Sequence, residues 1–336
     1  MEREVTIYDI AEKLKISAAT VSRGLNDNPV INAKTREKIQ QVAKELGYRH
    51  NTIASNLRKS QSKTIGVLLH EVNSNFSTSV LTGIEKIASA EAYDLLITHS
   101  AEDEAKEKAN AKNLLHKRVD GLIVSLALNT KDIQHFDAFF ERNIPVVFFD
   151  RVITEAKCSK VVIDNFSSGY DATKHLLKQG YRKIAHITAN LTRNVYNDRF
   201  EGYKKALQDK KISFREELVK ICSLDKEETI LAVETLLKEK PDAFFITNDF
   251  AAAVCMNLLH EKKIKVPQDV AVVGFNNDVL GDLVTPKLST IDYPGMQMGE
   301  VAAKELFKQL KSGSSNARSK TITIPSALIV RESSGA

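Results

Sequence analysis

The chain has 336 residues, 43% of them hydrophobic and 27% charged, which makes room for about two or three folded domains and excludes a disordered chain. No apolar run approaches the ~18–20 residues of a membrane span, and the charged start Met1, Glu2, Arg3, Glu4 predicts no secretory signal. The three cysteines, Cys158, Cys222 and Cys255, lie far apart; they predict neither a disulfide framework nor a zinc cluster, and hence a reducing, cytoplasmic setting. The net charge of +5 resides in residues 1–63, where 12 Lys or Arg face 7 Asp or Glu. A small basic head on a neutral body suits a polyanionic partner.

Thr6 can cap a first helix whose apolar residues Ile7, Ile10, Ala11 and Leu14 share one face. After the turn at Lys15 and Ile16, Ser17 can cap a second helix from Ala18 to Leu25, with Val21 and Leu25 inward. Asn26, Asp27, Asn28 and Pro29 read as a loop, and Asn32 can cap a third helix with Ile39, Val42, Ala43 and Leu46 inward and Gly47 just past its end. Two helices joined by a very short turn form a helix-turn-helix, whose second helix enters the major groove. Its outward residues are Ala18, Ala19, Ser22 and Arg23. An arginine there can hold guanine O6 and N7, and alanine methyls can pack on thymine methyls. A plain three-helix bundle, the competing reading, has no need of small, polar and basic residues on that face.

From Thr64 onward, apolar runs at 65–69, 94–98, 121–126 and 145–149 alternate with amphipathic stretches, and a second set follows at 161–164, 184–188, 243–247 and 270–275. The alternation predicts parallel sheets flanked by helices. The strands are too many for one unit, and Val161 restarts the pattern, which predicts two similar α/β subdomains with a ligand cleft at the strand C-terminal ends. The segment 321–331 reads as a hairpin returning to one of them.

These residues carry a family resemblance. Ile7-Tyr8-Asp9-Ile10-Ala11, Ser17-Ala18-Ala19-Thr20-Val21-Ser22-Arg23, Thr35-Arg36-Glu37-Lys38 and Leu46-Gly47-Tyr48 resemble the head of the LacI/GalR family of bacterial transcription regulators. Asn51, Ala54 and Leu57 match its hinge, a short helix that forms on operator binding. Leu57 stands where the family inserts an apolar wedge into the minor groove, unstacking and kinking a base step. Asp120-Gly121-Leu122-Ile123-Val124, Phe149-Asp150-Arg151, Arg199-Phe200-Glu201-Gly202-Tyr203, Thr247-Asn248-Asp249 and Val273-Gly274-Phe275-Asn276-Asn277 extend the likeness through the body. Two positions depart from it: His50 where the family has proline, and Ala18 and Ala19 where larger or polar side chains are common.

The resemblance implies a fold with an all-α helix-turn-helix head and an α/β body of two doubly wound subdomains, like a periplasmic binding protein. The expected boundaries are 1–49 for the head, 50–63 for the hinge and 64–336 for the effector-binding and dimerisation body. Within the body, 64–160 with 292–320 forms one subdomain and 161–291 with 321–336 the other. Expected DNA contacts are Thr6, Ser17, Ala18, Ala19, Ser22, Arg23, Asn26, Thr35, Tyr48, Asn51, Ala54 and Leu57. Expected effector contacts are Asn75, Phe76, Asp150, Arg199, Asn248 and Asn276, with Asn248 equally readable as a helix cap. Asn276 replaces a carboxylate common in relatives that bind neutral sugars, which makes the cleft more hospitable to an acidic or phosphorylated sugar.

No phosphate loop, dinucleotide fingerprint, nucleophile elbow or His-x-x-x-His pair occurs. His186 reads as a packed core residue. The reading is therefore a regulator and not an enzyme, with no cofactor or metal. Its expected partners are a palindromic double-stranded DNA operator, a sugar or sugar phosphate and a second copy of the chain. A sugar-binding module without DNA recognition is the alternative, which the basic head opposes.

Overall fold

The computed structural model describes residues 5–48, 61–156, 158–312 and 319–335. They form two compact units divided between Ser62 and Lys63. Asn51, Ala54, Leu57 and His50 lie outside the described residues.

The first unit is all-α, with α1 (Ile7–Leu14), α2 (Ala18–Leu25) and α3 (Ala33–Glu45). Its helix starts follow the side chains that can satisfy free backbone donors. Ser17 Oγ accepts from the Thr20 N–H at 3.1 Å, and Asn32 Oδ1 accepts from the Thr35 N–H at 2.9 Å, each cap contributing about 1 kcal/mol. At α1 the roles are reversed: the Thr6 backbone N–H and hydroxyl both donate to Asp9 Oδ2 at 2.7 Å. Ile10, Val21 and Ile39, one from each helix, are fully buried against one another. At roughly 1.5–3 kcal/mol per buried aliphatic side chain, this trio is the main force closing the unit.

The second unit holds β1 (Thr64–Leu69), α4 (Asn75–Ala90), β2 (Asp94–His99), α5 (Glu104–His116), β3 (Gly121–Val124), α6 (Asp137–Glu141), β4 (Val146–Phe149) and β5 (Ser159–Ile163). There follow α7 (Asn165–Lys178), β6 (Ile184–Thr188), α8 (Asn194–Asp209), β7 (Val219–Ile221), α9 (Lys226–Leu237), β8 (Ala243–Ile246), α10 (Asp249–Glu261) and β9 (Ala271–Val273). The chain closes with α11 (Leu280–Leu283), β10 (Thr290–Ile291), α12 (Gly295–Ser312), β11 (Thr321–Ile324) and β12 (Leu328–Ile329).

Two parallel sheets result, ordered β2-β1-β3-β4-β5-β11 and β7-β6-β8-β9. Every residue of β3, β4, β6 and β8 is buried, the pattern of central strands covered by helices on both faces. His186, in β6, is stacked on Tyr203 and tilted against Phe245, in the core.

The structure corrects the expected subdomain boundaries in two places. Val161 does not begin the second sheet. It sits in β5, paired with Phe149 of β4, and the chain crosses over only at Asp164, which caps α7 through the Ser167 N–H at 2.8 Å. Residues 321–331 are not a hairpin either. Strand β11 runs parallel to β5 in the first sheet, while β12 pairs antiparallel with β10. Only the last turn reaches the second sheet, where Ser333 Oγ donates to the Val272 carbonyl at 2.6 Å. A short β-branched run looks the same whichever sheet receives it, so local pattern could not assign these strands.

Both subdomains use one packing device. A Cβ on Gly83 of α4 would lie 2.1 Å from the Met296 carbonyl oxygen of α12, and one on Gly169 of α7 would lie 2.3 Å from that of Arg199 in α8. Backbone touches backbone at each crossing, and the second crossing fixes the helix that carries Arg199.

Candidate functional site

The face expected to contact DNA lies on α2 in the first unit. Ser17, Ala19, Arg23 and Asn26 are exposed, and Ser22 is half-buried. Among the described residues the Arg23 side chain makes no hydrogen bond or ion pair, so its five donors are open to a partner, while its backbone carbonyl accepts from the Asn28 N–H at 3.0 Å. Asn26, the residue that ends α2, donates through Nδ2 to the Ser22 carbonyl at 2.7 Å. Ala18 leans on the head core and shows less of its methyl than expected. Thr6, Thr35 and Tyr48 are half-buried: the first is tied to Asp9, the second supplies the capped N–H of α3, and Tyr48 packs on the core. Sequence reasoning missed Tyr8, whose ring is 69% exposed on the first turn of α1. Its alternation out of the apolar face of that helix was the available signal.

In the second unit the cleft residues come from the carboxyl ends of β4, β8 and β9 and from α8. Arg199 is the centre. It is buried to 3% exposure, its Nε donates to Asn165 Oδ1 at 2.9 Å, and its Nη1 donates to the Thr247 carbonyl at 3.1 Å. Its guanidinium carbon lies 3.5 Å from the centre of the Phe275 ring, a cation–π contact. Burial lowers the pKa of this guanidinium, with the Arg151 charge adding to the effect, while Tyr293, Tyr196 and Asp150 oppose it.

Tyr293 joins the two sides. Its hydroxyl donates to Asp150 Oδ1, and its ring stacks on Phe76 with centroids 4.5 Å apart and planes 12° from parallel. Asp150, at the end of β4 with φ 59°, is 4% exposed. Burial raises its carboxyl pKa, while Arg151, the Tyr293 hydroxyl and Arg199 pull it back down. Arg151 is itself held by Glu102 at 2.6 and 2.7 Å.

Of the six residues expected at the effector, the structure therefore groups Phe76, Asp150 and Arg199 around Tyr293. Asn248 is half-buried beside Thr247, and its Oδ1 caps α10 through the Ala251 N–H at 3.1 Å, leaving the amide donors. Asn276 follows Phe275 with φ 120°, its N–H bonded to the Ile291 carbonyl at 3.0 Å. Asn75 is exposed as the first residue of α4, and no hydrogen bond ties it to the cluster among the described residues. Residues not anticipated are Tyr293, Phe275, Tyr196 and the pair Arg193 and Asn194. Asn194 clasps the first subdomain reciprocally, donating to the Asp150 carbonyl and accepting from the Val152 N–H, both at 3.0 Å.

Residues 6–51 match the bacterial regulatory proteins of the lacI family, and residues 173–334 match a periplasmic binding protein-like domain. The chain is 31% identical over 332 residues to the ribose operon repressor of Haemophilus influenzae, covering 98% of each chain. The chain belongs to the LacI family of bacterial regulatory proteins. Catabolite control protein A of Priestia megaterium is a further relative, 30% identical over 98% of this chain and 99% of its own. The Lac repressor dimer bound to operator and the anti-inducer ONPF superposes with a TM-score of 0.88 at 25% identity, covering 99% of this chain and all of that one. Membership makes the α2 face the head of a transcriptional regulator and not part of an enzyme. Among the described residues no helix is long and apolar enough to cross a membrane.

Proposed function

We propose that this LacI-family chain is an effector-responsive regulator that acts as a homodimer in the bacterial cytoplasm and reads a pseudo-palindromic operator. The observation that carries the DNA side is the free Arg23 side chain on the exposed, Ser17-capped face of α2. Ser17, Ala18, Ala19, Ser22 and Asn26 frame it, with Thr6, Thr35 and Tyr48 around the head and Asn51, Ala54 and Leu57 supplying the hinge. A lone head is too small to bind tightly and specifically; two heads on a two-fold dimer read two half-sites.

The dimer is built by the body. Val72, Ile97 on strand β2 at the sheet edge, Phe250, Val279 and Leu283 are exposed apolar side chains suited to a second copy. The similar proteins named above, a ribose operon repressor and a Lac repressor dimer bound to operator, support the same reading.

The effector is a sugar or sugar phosphate held by Asp150, Arg199 and Asn248 over the Phe76, Phe275 and Tyr293 rings, with Asn276 at the rim and Asn75 at the mouth. Asp150 accepts hydroxyls, and Arg199 has donors beyond the two bonds it makes. A ligand that binds one subdomain spacing better than the other shifts the spacing of the two hinges, and so operator affinity.

Selection of genomic fragments with the purified protein, with and without neutral and acidic sugars, tests the proposal. Recovery of a palindrome with a flexible central step is expected. Recovery of no common sequence under any condition would leave the sugar-binding module as the better reading.

A further inference from the structure

One pair of helices runs from the cleft to the start of the body. α4 and α12 cross on glycine: a Cβ on Gly83 would lie 2.1 Å from the Met296 carbonyl oxygen, and one on Gly299 would lie 2.1 Å from that of Val80. Backbone packed on backbone leaves little between the helices to rearrange, so the pair moves as one stiff piece. An aromatic contact closes each end. At the cleft end Phe76 of α4 stacks on Tyr293, two residues before α12, with centroids 4.5 Å apart. At the other end Tyr93, three residues past α4, meets Phe307 of α12 edge-on, with centroids 5.0 Å apart and planes 67° from parallel. At 1.5 Å of rise per residue, the two contacts lie roughly 20 Å apart along α12.

The Tyr93 ring also carries Lys63, whose ammonium lies 4.3 Å from its centre, a cation–π contact. Lys63 is the first residue of the second unit, so the segment expected to form the hinge joins the body through it. It is pinned before the strand ladder begins at Thr64. Its N–H donates to Asp120 Oδ2 at 2.9 Å, and its carbonyl accepts from the Asp94 N–H at 2.9 Å. Its φ of 55° is left-handed, a conformation that a residue with a Cβ keeps only where its surroundings fix it. Burial and the Asp120 carboxylate raise the Tyr93 pKa to about 12, which keeps the hydroxyl protonated.

We infer that Tyr93 and Lys63 are positioning residues through which the α4–α12 pair carries a change at the Phe76–Tyr293 contact to the point where the hinge joins the body. The inference rests on the effector reading above and names its route. A cleft ligand that displaces the Tyr293 ring displaces the start of α12. The stiff pair then shifts Phe307 and Tyr93, and Lys63 moves with the ring on which it rests. Neither Tyr93 nor Lys63 belongs to the Arg199 cluster, so both act on coupling and not on ligand contacts.

A double-mutant cycle on the full chain tests this, read as affinity for the operator fragment recovered by genomic selection, with no sugar present. Residues this far apart combine additively, within about twofold, unless they are coupled. Tyr293→Phe removes only the hydroxyl that Asp150 accepts. It should change operator affinity at least about fivefold in the wild type and less than about twofold in Tyr93→Leu. Lys63→Met keeps the side-chain stem and leaves the Tyr93–Phe307 contact in place. It should blunt the change in the same way, so the test does not depend on a variant that disturbs packing. Tyr203→Phe is the control: it removes a buried hydroxyl bonded to the Ile184 carbonyl in the second subdomain, and its effect should be equal with and without Tyr93→Leu. No effect of Tyr293→Phe in the wild type, or the same effect in wild type, Tyr93→Leu and Lys63→Met, overturns the inference. The effector reading fails separately: the cycle is then non-additive, yet glucose, glucose 6-phosphate and glucuronate all leave the operator affinity of the wild type unchanged.

Discussion

The guanidinium carbon of Arg199 lies 3.5 Å from the centre of the Phe275 ring, while Asn165 and the Thr247 carbonyl hold two of its nitrogens. This places one charged group against segments from α7, β8 and β9 at once. Arg199→Lys keeps the charge but cannot stack and satisfy both acceptors together. It should cost about 1–3 kcal/mol in denaturant unfolding, from unsatisfied buried acceptors, and lower effector affinity at least tenfold by calorimetry. Unchanged affinity would remove Arg199 from the binding site.

Glycine makes that placement possible. Gly169→Ala puts a methyl 2.3 Å from the Arg199 carbonyl oxygen, and Gly83→Ala puts one 2.1 Å from that of Met296 in the other subdomain. Both should destabilise by about 1–3 kcal/mol through overpacking. Only Gly169→Ala moves α8, so its loss of effector affinity should exceed that of Gly83→Ala. Equal losses would mean that the α7–α8 crossing does not position Arg199.

Asp249 supplies a pH dependence with a definite sign. Its carboxylate accepts from the Thr290 hydroxyl at 2.8 Å and the Asp278 N–H at 2.7 Å, and burial raises its pKa to about 6. The folded value lies above the unfolded one. Its contribution is therefore fully present below about pH 4 and lost as pH rises through 6, an effect on the order of 3 kcal/mol. Urea midpoints between pH 4 and 7 should show this slope, and Asp249→Asn should flatten it. The same slope in the variant would assign it to another group.

On DNA, Arg23→Ala should cost about 1–3 kcal/mol and relax base choice at one position of each half-site. Leu57→Ala should spare the head, whose core is Ile10, Val21 and Ile39, yet reduce the bend of the bound operator. Gel-based bending assays read the second effect, and an unchanged bend angle would rule out the wedge.

Much of this architecture is legible in the sequence because it is local. Ser17, Asn32 and Asn248 announce their helices, since a cap and its N–H partner lie three residues apart. Phe76, Asp150 and Arg199 could be named as candidates, but Tyr293, which unites them, could not. An aromatic residue in a loop carries no signal of a carboxylate 143 positions away. The same non-locality hid the place of β11, whose partner β5 precedes it by most of the second subdomain. Arg193 was missed because an exposed and a buried arginine look alike until the Thr130 carbonyl is seen to close over it.

Regulation by an effector requires that cleft and operator be coupled. Operator affinity should be measured on one preparation at increasing concentrations of the ligand recovered with the operator, and ligand affinity measured with and without operator. A shift of about 5–150-fold, equal in both directions, is the expected result. An operator affinity that stays constant to ligand saturation would contradict the account.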